Sequence, residues 1–77
     1  MRLLADVHHM VYDYKRLELY GLYKGQLDVT NVPIHELEKV CRKHWLLDWD
    51  KAIKITLTKI TANGEMVNVS ERIYSAK

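Results

Sequence analysis

Residues 2–23 of the chain read RLLADVHHMVYDYKRLELYGLY, and their apolar residues recur at helical spacing. On a helix that turns about 100° per residue, eight of these residues fall within an arc of roughly 140°, the width of a core-facing side. They are Leu3, Leu4, Val7, Met10, Val11, Tyr14, Leu17 and Leu22. The spacing predicts an amphipathic N-terminal helix that frays and ends at Gly21 and Gly25, since glycine weakens helix interiors and suits their C-terminal ends.

A pair of strands is the alternative for part of this segment. Tyr and Leu alternate along residues 17–29, and Lys24-Gly25 would suit the turn of a hairpin. We favour the helix over residues 2–23. A short strand is predicted to follow it at residues 26–29, where Leu27 and Val29 alternate with polar neighbours.

A second helix is predicted for residues 33–46. The sequence Thr30-Asn31-Val32-Pro33 supplies a capping side chain and then a proline, which the first turn tolerates because its missing N–H has no partner there. Acidic residues lie early in this helix and basic residues late, as the helix dipole prefers. Glu38 and Arg42, at i, i+4 spacing, are expected on a solvated face. The expected buried stripe comprises Ile34, Leu37, Val40, Cys41 and Trp45.

A β-hairpin is predicted around Ala62-Asn63-Gly64. A two-residue Asn-Gly turn would pair Leu57 with Ser70 and mix apolar with polar residues on each face. A three-residue loop ending in a left-handed Gly64 pairs Leu57 with Val69 and Thr58 with Asn68, which separates them. We prefer this second register. It places Ile53, Leu57, Val69 and Ile73 in the core.

These elements predict an α+β fold in one domain spanning residues 1–77. Its order is N-terminal helix, short strand, second helix and C-terminal hairpin, with the helices covering one face of a small antiparallel sheet. Hydrophobic residues make up 48% of the 77 residues, and both charge signs are mixed along the chain, as in a globular protein. The net charge of +2 is well below the concentrated positive charge of most phosphate-backbone binders.

The sequence offers little support for catalysis. Cys41 and His44 lie three residues apart, a spacing suited to a nucleophile with its base or to half of a zinc site. No further ligand can be placed, so we expect a buried thiol beside a packed histidine. We interpret Asp48-Trp49-Asp50 as a helix-to-strand connection, with Trp49 closing the core. Because no phosphate-binding loop or Cys-x-x-Cys motif is present, we expect no enzyme, no cofactor and no metal.

Cysteine usage and hydropathy bear on location. The chain has one cysteine, and its first residues lack the apolar run of a secretory signal. We therefore expect a cytoplasmic protein. The apolar runs are also too short to span a bilayer, so we expect no membrane partner.

A second stripe lies opposite the apolar arc of the predicted N-terminal helix, within about 80°. It consists of His9, Tyr12, Arg16, Tyr20 and Tyr23. Tyr and Arg are enriched at binding hot spots, although the tyrosines would also be satisfied by folding onto the domain itself. We favour docking to a larger protein by a non-enzymatic accessory or inhibitory regulator, a role that small cofactor-free chains, including those of phages, often have. A self-complementary stripe would instead make a homodimer.

Nucleic-acid binding is the alternative function. Basic residues interleave with tyrosines, as in platforms that stack single strands, and a basic helix end followed by a hairpin is like a recognition helix with a wing. The basic residues that would carry this function are Lys15, Arg16, Lys24, Lys39, Arg42 and Lys43. Protein is favoured as the partner because Asp6, Asp13 and Glu18 lie among the N-terminal basic residues and oppose a polyanion.

Overall fold

Four strands form one antiparallel sheet in the computed structural model, which describes residues 1–77. The elements are β1 Arg2–Asp13, β2 Glu18–Asp28, 3₁₀ turn Ile34–Glu36, α1 Leu37–His44, β3 Ala52–Ile60 and β4 Met66–Tyr74. In space the strands follow the order β2-β1-β3-β4, so β2 and β4 are the edges. The 3₁₀ turn and α1 connect β2 to β3.

The predicted N-terminal helix is wrong, and with it the α+β order of helix, strand, helix and hairpin. Residues 2–23 form β1, a turn at residues 14–17 and the first part of β2. Since side chains alternate along a strand, the predicted apolar arc is divided between both faces of the sheet. Leu4 and Val7 are buried on opposite faces, whereas Tyr14 and Leu17 lie in the turn with 81% and 75% of their surface exposed.

The strand alternative had the extended conformation right and the turn wrong. Lys24-Gly25 lies inside β2, at a shift in register opposite the step between Val7 and His8. Gly25 has a φ of 146°, and a Cβ there would lie 3.2 Å from the Trp45 ring. Glycine at this position therefore lets Trp45 pack directly against β2. The strand predicted at residues 26–29 is the last part of β2 together with the buried Val29.

The second helix is confirmed, but it is shorter than predicted and begins without a side-chain cap. The Thr30 hydroxyl donates to Asp28 Oδ1 at 2.6 Å and accepts the N–H of Leu3 at 3.0 Å, so it fastens the end of β2 to β1. Leu46 follows the helix with a φ of 54°, in the left-handed region that often ends helices.

The C-terminal hairpin is confirmed, but most of its predicted register is wrong. Thr58 pairs with Asn68 as expected, and then a shift between Leu57 and Thr58 pairs Leu57 with Ser70. Ile53 and Leu57 are buried as predicted. The predicted core positions Val69 and Ile73 are instead 53% and 50% exposed, because the shift moves β4 by one residue relative to β3.

The core lies between one face of the sheet and α1 with its flanking loops. It contains nine buried residues. These are Ala5, Val7, Val29, Leu37, Cys41, Leu47, Ile53, Ile55 and Leu57. No helix covers the opposite face of the sheet, which we call the open face. Neither helical segment is long or apolar enough to span a membrane.

Candidate functional site: the projecting hairpin

The hairpin of β1 and β2 extends beyond the rest of the sheet. β3 pairs with β1 only as far as Met10, whereas β2 continues to pair with β1 up to Asp13 and Glu18. We call residues 11–20 the arm. The arm lengthens the molecule, which measures 45 Å along its longest axis and 23 × 17 Å across. Side chains on both faces of the arm consequently lack the support of β3.

Large apolar side chains cluster on and beside the arm. Seven of them are between 42% and 81% exposed. We call this set the hairpin surface, and it consists of Tyr12, Tyr14, Leu17, Leu19, Tyr20, Leu22 and Tyr23. Single exposed apolar residues are ordinary on proteins, but contiguous patches of them usually mark interaction sites. The hairpin surface is therefore the leading candidate site.

The stripe predicted for partner binding lies in this hairpin, although not on one face. Tyr12 and Tyr23 belong to the open face, where they lie opposite Leu19 and His8. His9 and Tyr20 belong to the face that α1 covers further along the sheet. The alternation of a strand therefore divides residues that a helix would have aligned, and Arg16 lies in the turn between them.

Tyr23 is held in place on the open face. Its hydroxyl donates to Asp6 Oδ1 at 2.8 Å, and its ring lies against His8 with the ring centres 5.1 Å apart. The hydrogen bond to the carboxylate raises the pKa of Tyr23. Gln26 Nε2 also donates to Asp6 Oδ1, at 3.2 Å. The Tyr23 ring is thus held in one orientation at the base of the arm before any partner binds.

At the end of the arm, Tyr12 and Tyr14 pack edge to face with their ring centres 4.9 Å apart. Such a pair contributes favourable contact beyond the apolar area that it buries. Tyr14 nevertheless remains 81% exposed, so the pair is open to a partner.

The turn at the tip is stabilised by Asp13. Its Oδ1 accepts the backbone N–H of Lys15 at 2.9 Å and that of Arg16 at 3.2 Å. Leu17 closes the turn with a φ of 55°, which an apolar side chain rarely adopts. The Arg16 guanidinium approaches Asp13 and Glu18 only at 3.9 Å, and it is largely exposed. Its charge therefore remains available at the tip.

His9 lies where the arm meets the core. It pairs with the buried Ile53 of β3 on one side and with Leu22 on the other. Burial lowers the pKa of His9, and the positive charges of Lys51 and Lys24 lower it further. The imidazole is therefore neutral at pH 7 and fits the apolar base of the arm.

The basic residues of the alternative set are dispersed. Lys15 and Arg16 lie in the turn and Lys24 in β2, whereas Lys39 and Lys43 are exposed on α1.

Arg42, the remaining member of that set, is only 2% exposed and is not on the solvated face expected from its spacing to Glu38. Its guanidinium contacts Glu38 Oε2 through Nε and Nη2, both at 2.9 Å. Nη1 donates to the carbonyl oxygens of Asp48 at 2.7 Å and Lys51 at 2.6 Å, and Nη2 donates to that of Ser75 at 3.4 Å. Arg42 thus joins α1 to the following loop and to the C-terminal segment and has no free donor for a phosphate. The i, i+4 pair with Glu38 was visible in the sequence, but its burial was not.

The residues considered for catalysis pack against neighbouring side chains, Cys41 in the core and His44 against Trp45. Cys41 is fully buried, and burial raises the pKa of its thiol to about 11, so the reactive thiolate does not form at neutral pH. His44 is exposed and meets the Trp45 ring at 4.5 Å. Trp49 does not close the core: it is 43% exposed, and the Arg42 and Lys77 cations each lie 4.8 Å from its ring centre.

A concave feature, separate from the hairpin, lies between α1 and β4. It is a cleft of about 470 Å³, lined mainly by apolar residues that include Ile34, Leu37 and Val69. Arg72 and Glu71 also line it, but no cluster of three or more potential metal ligands occurs in the protein. The cleft adds apolar surface without a polar group that indicates a ligand.

Comparisons of the chain with protein-family models, with curated proteins and with solved structures found no match. The projecting hairpin therefore remains the basis for assigning a function.

Proposed function

We propose that this protein is a non-enzymatic interaction module that docks onto a larger protein through its hairpin surface and regulates that protein. The observation that carries the proposal is the arm itself, which extends past β3 with its large apolar side chains exposed. The sequence predicts docking through an N-terminal helix, and in the structure the same residues form a β-hairpin.

The chemistry of the hairpin surface favours a protein partner. Its members are tyrosines and leucines, and interface centres are rich in aromatic residues and poor in charge. Tyrosine provides a large contact area with only two side-chain torsions to immobilise. Tyr23 is already fixed by Asp6, so part of that entropic cost is absent when a partner binds.

The same features argue against a nucleic-acid backbone as the principal ligand. Binding to phosphates requires several cations on one surface, because affinity comes from the release of counterions. Here the six basic residues of the alternative set are divided between the hairpin and α1, and Arg42 is occupied internally. Asp13 and Glu18 accompany the basic residues of the tip.

The proposal is tested with a double variant at the end of the arm, Tyr12→Ala with Tyr14→Ala. These residues lie in β1 and the turn, so the variant leaves the sequence of β2 intact. The matched control is Met66→Ala with Val67→Ala, which removes two similarly exposed apolar side chains from β4. Each tagged chain is used to capture proteins from nuclease-treated lysate. Each captured protein is then purified, and its affinity is measured.

We expect one protein to bind the unmodified chain and the β4 control equally. The Tyr12/Tyr14 variant should bind it at least about thirtyfold more weakly, the loss that accompanies removal of hot-spot side chains. Equal binding by all three chains would refute docking through the arm. Salt-sensitive retardation of random single-stranded DNA, with no protein captured, would favour the nucleic-acid alternative instead.

A further inference from the structure

The outer edge of β2 is open along the arm. β2 pairs with β1 on one side and with no strand on the other. Natural proteins usually protect such an edge with proline, with several lysines or with a bulge, because its free N–H and C=O groups can pair with another chain. In β2 the irregularity comes only at Gly25, so residues 18–24 present a regular edge without proline.

This stretch reads ELYGLYK and is nearly symmetric about Gly21. Consider two antiparallel copies of this strand that are related by a two-fold axis through Gly21. A residue that precedes Gly21 by a given number of positions then lies opposite the residue that follows Gly21 by the same number in the other copy. The resulting pairs are Glu18 with Lys24, Leu19 with Tyr23, Tyr20 with Leu22, and Gly21 with itself. Opposite charges therefore meet at both ends, and leucine meets tyrosine at every position between the charges and the central glycine.

We propose that a second copy of this chain pairs with β2 in this register, making one continuous eight-stranded sheet. The four apolar residues involved are between 42% and 58% exposed in the single chain, so the pairing covers surface that is otherwise wet. Because the two-fold axis is perpendicular to the sheet, the faces that α1 covers in the two copies lie on the same side of the joined sheet. This pairing is separate from the docking proposed above and needs no other protein.

The opposite edge of the sheet does not offer an equivalent pairing. The register shift beside Leu57 interrupts β4 and leaves only short regular stretches on either side. Two-fold registers centred on Glu71 or Arg72 would place like charges directly opposite each other, which destabilises a strand pair. Pairing β2 with the β4 of another copy would not close and would produce open-ended polymers.

The charged pairs at the ends make the register testable. In Glu18→Lys, two lysines would meet at each end of the interface, and in Lys24→Glu two glutamates would meet. The double exchange Glu18→Lys with Lys24→Glu restores the attraction with the charges reversed. Glu65→Lys, in the turn before β4, makes the same charge change as Glu18→Lys away from β2 and serves as the matched control.

The experiment is sedimentation of the purified chains over a range of concentrations, with circular dichroism to verify folding. We expect the unmodified chain and the Glu65 control to move from the 9.1 kDa monomer toward twice that mass as concentration rises. Each single β2 variant should weaken dimerisation by about tenfold, and the double exchange should return it to within about twofold of the unmodified chain.

Three results would overturn the proposal. These are a monomer at every concentration, a double exchange as weak as the single variants, and a mass that grows beyond the dimer. Hydrogen exchange gives a second measurement that needs no variant. In the concentrated protein, amides within residues 18–24 should exchange more slowly than in dilute protein, while those of β4 should not change. Slower exchange in β4 alone would contradict the choice of edge.

Discussion

Replacement of Arg42 by methionine is expected to destabilise this protein severely. Methionine retains much of the length and apolar stem of arginine but removes every guanidinium contact. The carbonyl oxygens of Asp48, Lys51 and Ser75 would lose their donor, and the Glu38 carboxylate would lose its cation. The loop between α1 and β3 and the C-terminal segment would then no longer be tied to the helix.

The size of the effect follows from burial. Breaking a buried ion pair by removing one partner costs about 3–5 kcal/mol, because the remaining charge is left unpaired. The Glu38 side chain is 18% exposed, so water can solvate part of its charge, and we expect the lower end, about 3 kcal/mol. The total stability of a 77-residue domain is only about 4–11 kcal/mol. The melting temperature should therefore fall by about 12–24 °C.

The assay is thermal and urea unfolding followed by circular dichroism. Lys43→Met is the control, since Lys43 is the exposed neighbour of Arg42 on the same helix. It should change the free energy of unfolding by less than about 0.5 kcal/mol. Glu38→Gln combined with Arg42→Met should recover part of the loss, because the unpaired carboxylate is gone. If Arg42→Met were no less stable than Lys43→Met, the buried contacts of Arg42 would not have the importance assigned to them.

Two further predictions concern titratable groups. Cys41 should react with a thiol reagent at pH 7–8 only as fast as the protein unfolds, because burial holds its pKa near 11; labelling of the native protein at the rate of a free thiol would contradict this. Burial and the charge of Lys51 lower the pKa of His9, so the folded protein favours the neutral imidazole. The stability that His9 contributes is therefore complete above pH 6.5 and is lost as the pH falls below that value. His9→Gln should therefore flatten the dependence of unfolding free energy on pH between 7 and 5, and Lys51→Met should flatten it in part; an unchanged slope in both variants would be inconsistent with that environment.

The predicted stripe shows how residues selected on an incorrect secondary structure can still lie together in the fold. The sequence predicts the stripe from His9 to Tyr23 because aromatic residues occupy positions where a solvated helix would carry charge. Those residues do lie together in one hairpin, with Tyr12, Tyr20 and Tyr23 exposed. What composition could not provide was their division between two faces, since that depends on strand alternation. Composition also could not predict the open edge of β2, because the edge position depends on the order of the strands in the folded sheet.

Local signals were enough for α1 and for the C-terminal hairpin. Proline before the helix and the order of its charges are effects within one or two turns, and Asn63-Gly64 acts within a single turn. These elements formed where the sequence predicted them. The bulge that shifts β4 was not predictable in the same way, because it lies between Leu57 and Thr58, away from the turn, where no local sequence signal fixes the register.

The N-terminal segment was decided by tertiary structure. Its apolar residues often come in adjacent pairs, such as Leu3-Leu4, Met10-Val11 and Leu22-Tyr23, which place one member on each face of a strand and also match helical spacing. Composition and periodicity alone therefore established a globular chain with an apolar, tyrosine-rich amino end, and they left two conformations of similar local preference. The pairing of β1 with β3, more than forty residues away, selects the strand, because only that long-range contact buries Ala5 and Val7 beneath α1.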